Sequence, residues 1–137
     1  MRSGLAAALA ALLVAAAGCS LSGEEAETSI RLVVPDKNVR AEGVECAGAR
    51  PFEHVHPGAP FTIEAGDGTV VADGELPVGH AENAEPEIDW GVDRIPTFCV
   101  LDFEVALPER PRYRLLLEGS RPLEFAVGKE PVVLVVG

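Results

Sequence analysis

Glu53-His54-Val55-His56 is where two imidazoles stand close enough along this chain to share an ion. Histidines at i and i+2 fall on one face of an extended strand, and neutral imidazole suits zinc or copper. No third ligand stands at a telling spacing, and His80 lies well downstream. The pair therefore reads first as solvated side chains ahead of Pro57-Gly58. The second candidate is acidic. Residues 81–93 carry Glu82, Glu85, Glu87, Asp89 and Asp93 before Arg94 supplies a base. An oxygen-rich loop can hold calcium, yet this spacing lacks the alternating ligands, central Gly and terminal Glu of an EF-hand. A solvated loop is the plainer reading. Trp90, the only tryptophan, sits in the same segment. It reads either as an aromatic anchor for a partner or as a cover for the edge of the fold. Nucleophilic chemistry has less support. No G-x-S-x-G elbow is present, no Gly-rich phosphate loop precedes a helix, and in so acidic a chain carboxylate pairs arise by chance. An enzyme is the weakest class.

The three cysteines divide by context. Residues 5–17 are an unbroken run of Ala, Leu and Val, preceded by a single positive charge at Arg2. That run suits the h-region of an export signal and is too short for a helix to cross about 30 Å of hydrocarbon. Ala16-Ala17-Gly18-Cys19 follows and resembles the bacterial lipobox, with Ala16 where Leu is commonest. In that motif the cysteine sulfur receives a diacylglycerol and the residue becomes the new N-terminus. The competing reading is an ordinary signal cleaved near Ala17, with Cys19 free. Cys46 and Cys99 remain, and in an oxidising compartment an even residual count reads as one disulfide. A zinc site would want closer ligand pairs, and no spacing supports a histidine partner for a catalytic thiol.

Charge removes further classes. The 137 residues hold 11 basic and 22 acidic side chains, for a formal net charge of −11. Losing Arg2 with the leader leaves 10 basic against 22 acidic. Nucleic acid needs clustered Lys and Arg, so it is excluded as a partner, as is adhesion to anionic lipid through a basic face.

The elements that must position these residues read as β. Residues 1–18 form the signal peptide, 19–28 a lipidated flexible tether, and 29–137 one domain. Ile30, Leu32 and Val34 alternate in a first strand that Pro35-Asp36-Lys37-Asn38 should stop. Phe61, Ile63 and Ala65 alternate ahead of Gly66-Asp67-Gly68, and residues 69–72 return, which predicts a hairpin. Asp73-Gly74 then introduces a further segment at 75–78. Cys99, Leu101, Phe103, Val105 and Leu107 share one face of a strand over 98–107, which places Cys99 toward the core. A bridge from there to Cys46 should cross the interior or link two sheets. Tyr113, Leu115 and Leu117 point inward in turn, as do Leu123, Phe125 and Val127, and residues 131–136 form a last apolar run. No segment beyond the leader has helical periodicity. About seven short strands predict an all-β fold, a small antiparallel β-sandwich of immunoglobulin-like or transthyretin-like kind.

Cys46, the run Pro57-Gly58-Ala59-Pro60-Phe61, the Gly66-Asp67-Gly68 turn, Gly74-Glu75-Leu76-Pro77-Val78-Gly79, and Phe98-Cys99-Val100-Leu101-Asp102-Phe103-Glu104-Val105 with Tyr113-Arg114-Leu115 together resemble a family of small actinobacterial proteins. These are exported or membrane-anchored and carry a two-cysteine β domain. The resemblance spans Cys46 to Val127, and a longer acidic insert before Cys99 departs from it. It implies a disulfide-stapled sandwich outside the cytoplasm and supplies no catalytic residues. The expectation is an envelope lipoprotein on the extracytoplasmic side of the cell membrane, attached through Cys19, with no cofactor. Its sandwich would serve as a binding or structural module toward an envelope protein or small ligand. The alternatives are a calcium- or zinc-binding lipoprotein and, less favoured, an extracytoplasmic enzyme.

Overall fold

The computed structural model describes residues 24–137. Cys19 and the signal peptide expected over 1–18 lie outside the described residues. The described chain is all β, in two sheets. One sheet has the order β2-β5-β6-β1-β9, from β1 (Glu25–Ala41), β2 (Glu45–Cys46), β5 (Gly79–Asn83), β6 (Arg94–Pro108) and β9 (Val132–Val135). The other has the order β4-β3-β7-β8, from β3 (Pro60–Ala65), β4 (Val70–Glu75), β7 (Tyr113–Leu117) and β8 (Leu123–Phe125). All ladders are antiparallel except that between β1 and β9.

Alternation builds both inner faces. Ile30, Leu32 and Val34 of β1 pack with Leu101 and Leu107 of β6 and Val132 and Leu134 of β9. Opposite them lie Phe61 and Ile63 of β3, Tyr113, Leu115 and Leu117 of β7, and Phe125 of β8. Phe61 and Phe103 close the gap with ring centroids 5.0 Å apart, and Tyr113 stacks on Phe125 at 5.2 Å.

Several expectations need correction. Among the described residues, nine strands replace about seven. Glu25–Thr28, read as tether, is strand: Glu25 pairs with Pro108 and Thr28 with Val105, because the long β6 offers its full edge to polar residues as well as apolar ones. Pro35-Asp36-Lys37 does not end β1. It is a bulge, with the register shifting between Val34 and Asn38 and Lys37 at φ 50°. The segment at 75–78 is not a separate strand, since β4 runs to Glu75 and β5 begins at Gly79. Residues 81–83, assigned to the acidic loop, belong to β5. Val127 lies past β8 and is exposed. The hairpin of β3 and β4 matches the expected one, with Asp67 Oδ1 accepting from Thr69 N–H at 3.0 Å across the turn.

The registers place most connections at one of two ends. Glu25, the 66–68 turn, the 109–112 turn and the segment leading into β9 share the end from which β1 starts; Gly66 N–H donates to the Arg112 carbonyl there at 3.0 Å. Loop 84–93, the 118–122 turn and the start of β3 lie at the other end.

Candidate functional site

His54, His56, residues 84–93 and Trp90 occupy the end of the sandwich opposite Glu25, whereas His80 and Glu82 lie on β5 within the sheet. His54 belongs to the loop between β2 and β3, which turns on Gly48 N–H donating to the Val55 carbonyl at 2.7 Å. The buried Val55 holds that loop in the core. His54 Nε2 sits 2.5 Å from Ser120 Oγ in the turn between β7 and β8. Gly119, at φ 85°, lets that turn close on the ring, because a Cβ there would lie 3.2 Å from His54 Cγ. His56 is exposed, its Nδ1 2.9 Å from the Pro57 carbonyl. Both rings line a shallow groove of about 390 Å³ with Ala59, Pro60, Leu117 and Glu118. They do not converge on a point. His54 and Ser120 form a base–hydroxyl pair, yet no carboxylate orients the other ring nitrogen among the described residues, so the pair clamps two loops together.

The acidic segment is dispersed by its own strand and turns. Glu82 is on β5 and bonds Arg31 at 2.9 Å, on the outer sheet face where Asp102 also holds Arg31 at 3.0 Å. Glu85 approaches Lys37 at 3.9 Å, and its N–H is capped by Asn83 Oδ1 at 2.8 Å. Asp89 Oδ1 accepts from Gly91 N–H at 3.1 Å. Among the described residues no three His, Cys, Asp or Glu side chains are grouped to hold an ion. Trp90 is half-buried, and its indole N–H is covered without an acceptor among the described residues. Ile88 and Val92 beside it are exposed.

Cys46 and Cys99 are bonded, their Cα atoms 5.8 Å apart. The bridge does not link the two sheets. It joins β2 to β6 within one sheet, over β5, and Gly79 makes this possible. A Cβ on Gly79 would lie 2.6 Å from Cys99 Sγ and 2.9 Å from the Cys46 carbonyl oxygen.

Sequence reasoning missed a buried ion pair. Arg40 forks onto Asp36 at 3.1 and 2.7 Å and also reaches Thr97 Oγ1 at 3.2 Å and the Ala47 carbonyl at 3.1 Å. Asp36 further accepts from the N–H groups of Asn38 at 3.2 Å and Ala49 at 2.9 Å. Burial pushes the Asp36 carboxyl upward, and the hydrogen bonds from Arg40, Ala49 and Asn38 outweigh it, holding the group below its ordinary value of 3.8. The available signal was the i, i+4 spacing of Asp36 and Arg40, concealed because Pro35-Asp36 reads as a turn.

The class this defines is a disulfide-stapled, all-β sandwich domain with its loop candidates gathered at one end. No protein-family model matches the chain, no curated protein is significantly similar to it, and no solved structure is a significant match. The resemblance over Cys46 to Val127 thus stands on its own residues, of which the joined cysteine pair and the β domain are present in the structure.

Proposed function

We propose that this chain is a bacterial envelope lipoprotein, anchored through Cys19, whose extracytoplasmic β-sandwich is a binding or structural module. The observation that carries this reading is the joined Cys46–Cys99 pair downstream of a leader ending in Ala-Ala-Gly-Cys. Disulfides persist in oxidising compartments, so the staple and the export signal point to the same side of the membrane. Two or more acyl chains give stable attachment, at about 0.8 kcal/mol per buried methylene. β1 begins at Glu25, so the chain from Cys19 can reach only about 20 Å at its fullest extension. Glu24, Glu25 and Glu27 are exposed at the start of the described chain, and an anionic headgroup layer would repel them. The Trp90 loop and the His54 groove would then project away from the membrane, where an envelope protein or a small ligand can meet them. Nine Arg against two Lys, with abundant Ala and Gly, agrees with a GC-rich bacterial source.

The test is an intact mass of detergent-extracted protein from a lipidating bacterial host, alkylated before and after reduction. Expected are a lipid-sized gain on an N-terminal Cys19 and two thiols that appear only on reduction. An unlipidated mass sinks the anchor, and thiols that alkylate without reduction sink the oxidising compartment.

A further inference from the structure

Cys46 and Cys99 lie on strands that are not neighbours. Cys46 pairs with Gly79 of β5 and Cys99 pairs with Ala81, so β5 runs between them. Adjacent strands stand about 4.8 Å apart, which in a regular sheet puts residues two strands away at about 10 Å or more. A disulfide cannot join Cα atoms more than about 7 Å apart. Here they are 5.8 Å apart, so the chain at Cys46 is drawn over Gly79, where there is no side chain to block it.

The bond is not alone in holding it there. The entry to β2 is fixed by Gly43 N–H on the Ala81 carbonyl at 2.7 Å and by Ala81 N–H on the Val44 carbonyl at 2.9 Å, both ahead of Cys46. Past Cys46, over residues 47–53, every hydrogen bond to another element among the described residues goes to one ion pair. Arg40 Nη2 donates to the Ala47 carbonyl at 3.1 Å, and Asp36 Oδ2 accepts from Ala49 N–H at 2.9 Å. The same guanidinium reaches the strand of the other cysteine, where Nη1 donates to Thr97 Oγ1 at 3.2 Å. Thr97 is fully buried two residues ahead of Cys99, and its hydroxyl donates in turn to the Asn38 carbonyl at 3.0 Å. Arg40 is itself fixed, with both terminal nitrogens forked on the buried Asp36 carboxylate at 3.1 and 2.7 Å. One planar group thus grips the residue after Cys46 and the strand that leads into Cys99.

We infer that Asp36 and Arg40 are positioning residues for the disulfide: they hold Cys46 against Cys99 over Gly79 in the folded chain before the bond exists. The bond then forms by exchange with a low-molecular-weight disulfide. One cysteine thiolate displaces a small thiol to give a mixed disulfide, and the second cysteine displaces the other. Two small thiols leave with the two electrons and two protons that the cysteines lose. Holding the two sulfurs together raises their effective concentration, so the bond forms more readily and resists reduction. Such coupling is reciprocal, and the bond favours the ion pair as much as the pair favours the bond. The inference rests on the bond in the structure and is independent of the Cys19 anchor.

The experiment equilibrates the full chain, purified in detergent, in buffers of graded glutathione and glutathione disulfide. Alkylation and intact mass read the state of Cys46 and Cys99. D36N/R40M removes both charges together, so neither is stranded. It is expected to lower the equilibrium constant for bond formation at least tenfold. Y113F, at the other end of the sandwich, should leave that constant within twofold, because a distant change weakens the oxidised and reduced folds alike. If D36N/R40M does not fold, R40K keeps a charge beside Asp36 but loses the fork, and a fall of at least threefold is expected. Wild type under a phosphine reductant should keep its β circular dichroism spectrum. An unchanged constant in the folded variants overturns the inference. An equal fall in Y113F does so too, since general stability then sets the constant. So does a wild type that unfolds on reduction, because no fold then holds the thiols together.

Discussion

Asp36 is the residue on which acid stability should turn. Its side chain is fully buried and that of Arg40 is 10% exposed, so neither charge has water to fall back on. Replacing one partner of a buried pair strands the other charge, a loss of about 3–5 kcal/mol, more than a surface pair could cost. Asp36→Asn is therefore expected to be strongly destabilising at neutral pH, measured by denaturant unfolding. The pH dependence has a definite sign. The folded carboxyl titrates below its ordinary 3.8, so its contribution is fully present above that value and is lost as pH falls through the folded pKa. Wild type should lose stability from about pH 4 downward, and Asp36→Asn should flatten that acid limb. An unchanged acid limb in the variant would show that other carboxylates govern it. The same pair explains why Thr97 tolerates complete burial: its hydroxyl donates to the Asn38 carbonyl at 3.0 Å while accepting from Arg40.

Among the elements, those with local alternation were legible and those with distant or interrupted pairing were not. The inward face of β6 from Cys99 to Leu107, the β3–β4 hairpin and the inward residues of β7 follow from period-2 patterning and turn glycines. β5 escaped because its buried positions are Gly79 and Ala81, small residues beneath the disulfide, and its acidic neighbours read as loop. β1 was truncated because a proline mid-strand imitates a stop, whereas here it sits in a bulge. The pairing of β9 with β1 joins residues about a hundred positions apart, and no local pattern encodes it. Of the candidate site, the cysteine pair was legible; the His54–Ser120 contact was not, because two loops distant in sequence make it. The passage from one sheet to the other, between β6 and β7, depends on Tyr113. Its hydroxyl donates to the Pro108 carbonyl at 2.5 Å and accepts from Arg110 N–H at 2.9 Å. Tyr113→Phe keeps the stack on Phe125 and orphans both backbone groups, so a loss of about 1–3 kcal/mol is expected. A thermal midpoint within a degree of wild type would mean that water replaces the hydroxyl.

For the whole molecule, the disulfide and the proposed Cys19 anchor are expected to make separable contributions. The Cys46–Cys99 bond spans 53 residues, and that span holds β3, β4 and β5. Closing so long a loop restricts the unfolded chain and stabilises the fold by about 4 kcal/mol in the chain-entropy account. Reduction, or Cys99→Ser, is expected to lower the thermal midpoint by roughly 10–20 °C for a domain of this size. The bridge joins β2 to β6 at the sheet edge, where the chain otherwise pairs with β5 from Gly43 to Cys46 and is held by Arg40 at the Ala47 carbonyl. Without the bridge, exchange protection should fall in β2 before it falls in β6. Cys19→Ser tests the opposite case. Cys19 precedes the first paired residue, Glu25, so the change should leave the midpoint of the detergent-solubilised domain within about 1 °C while releasing it from the membrane fraction. If both substitutions lower the midpoint alike, Cys19 takes part in the fold and the division of the three cysteines is wrong. If only Cys99→Ser does so, the staple holds the sandwich and the first cysteine serves attachment.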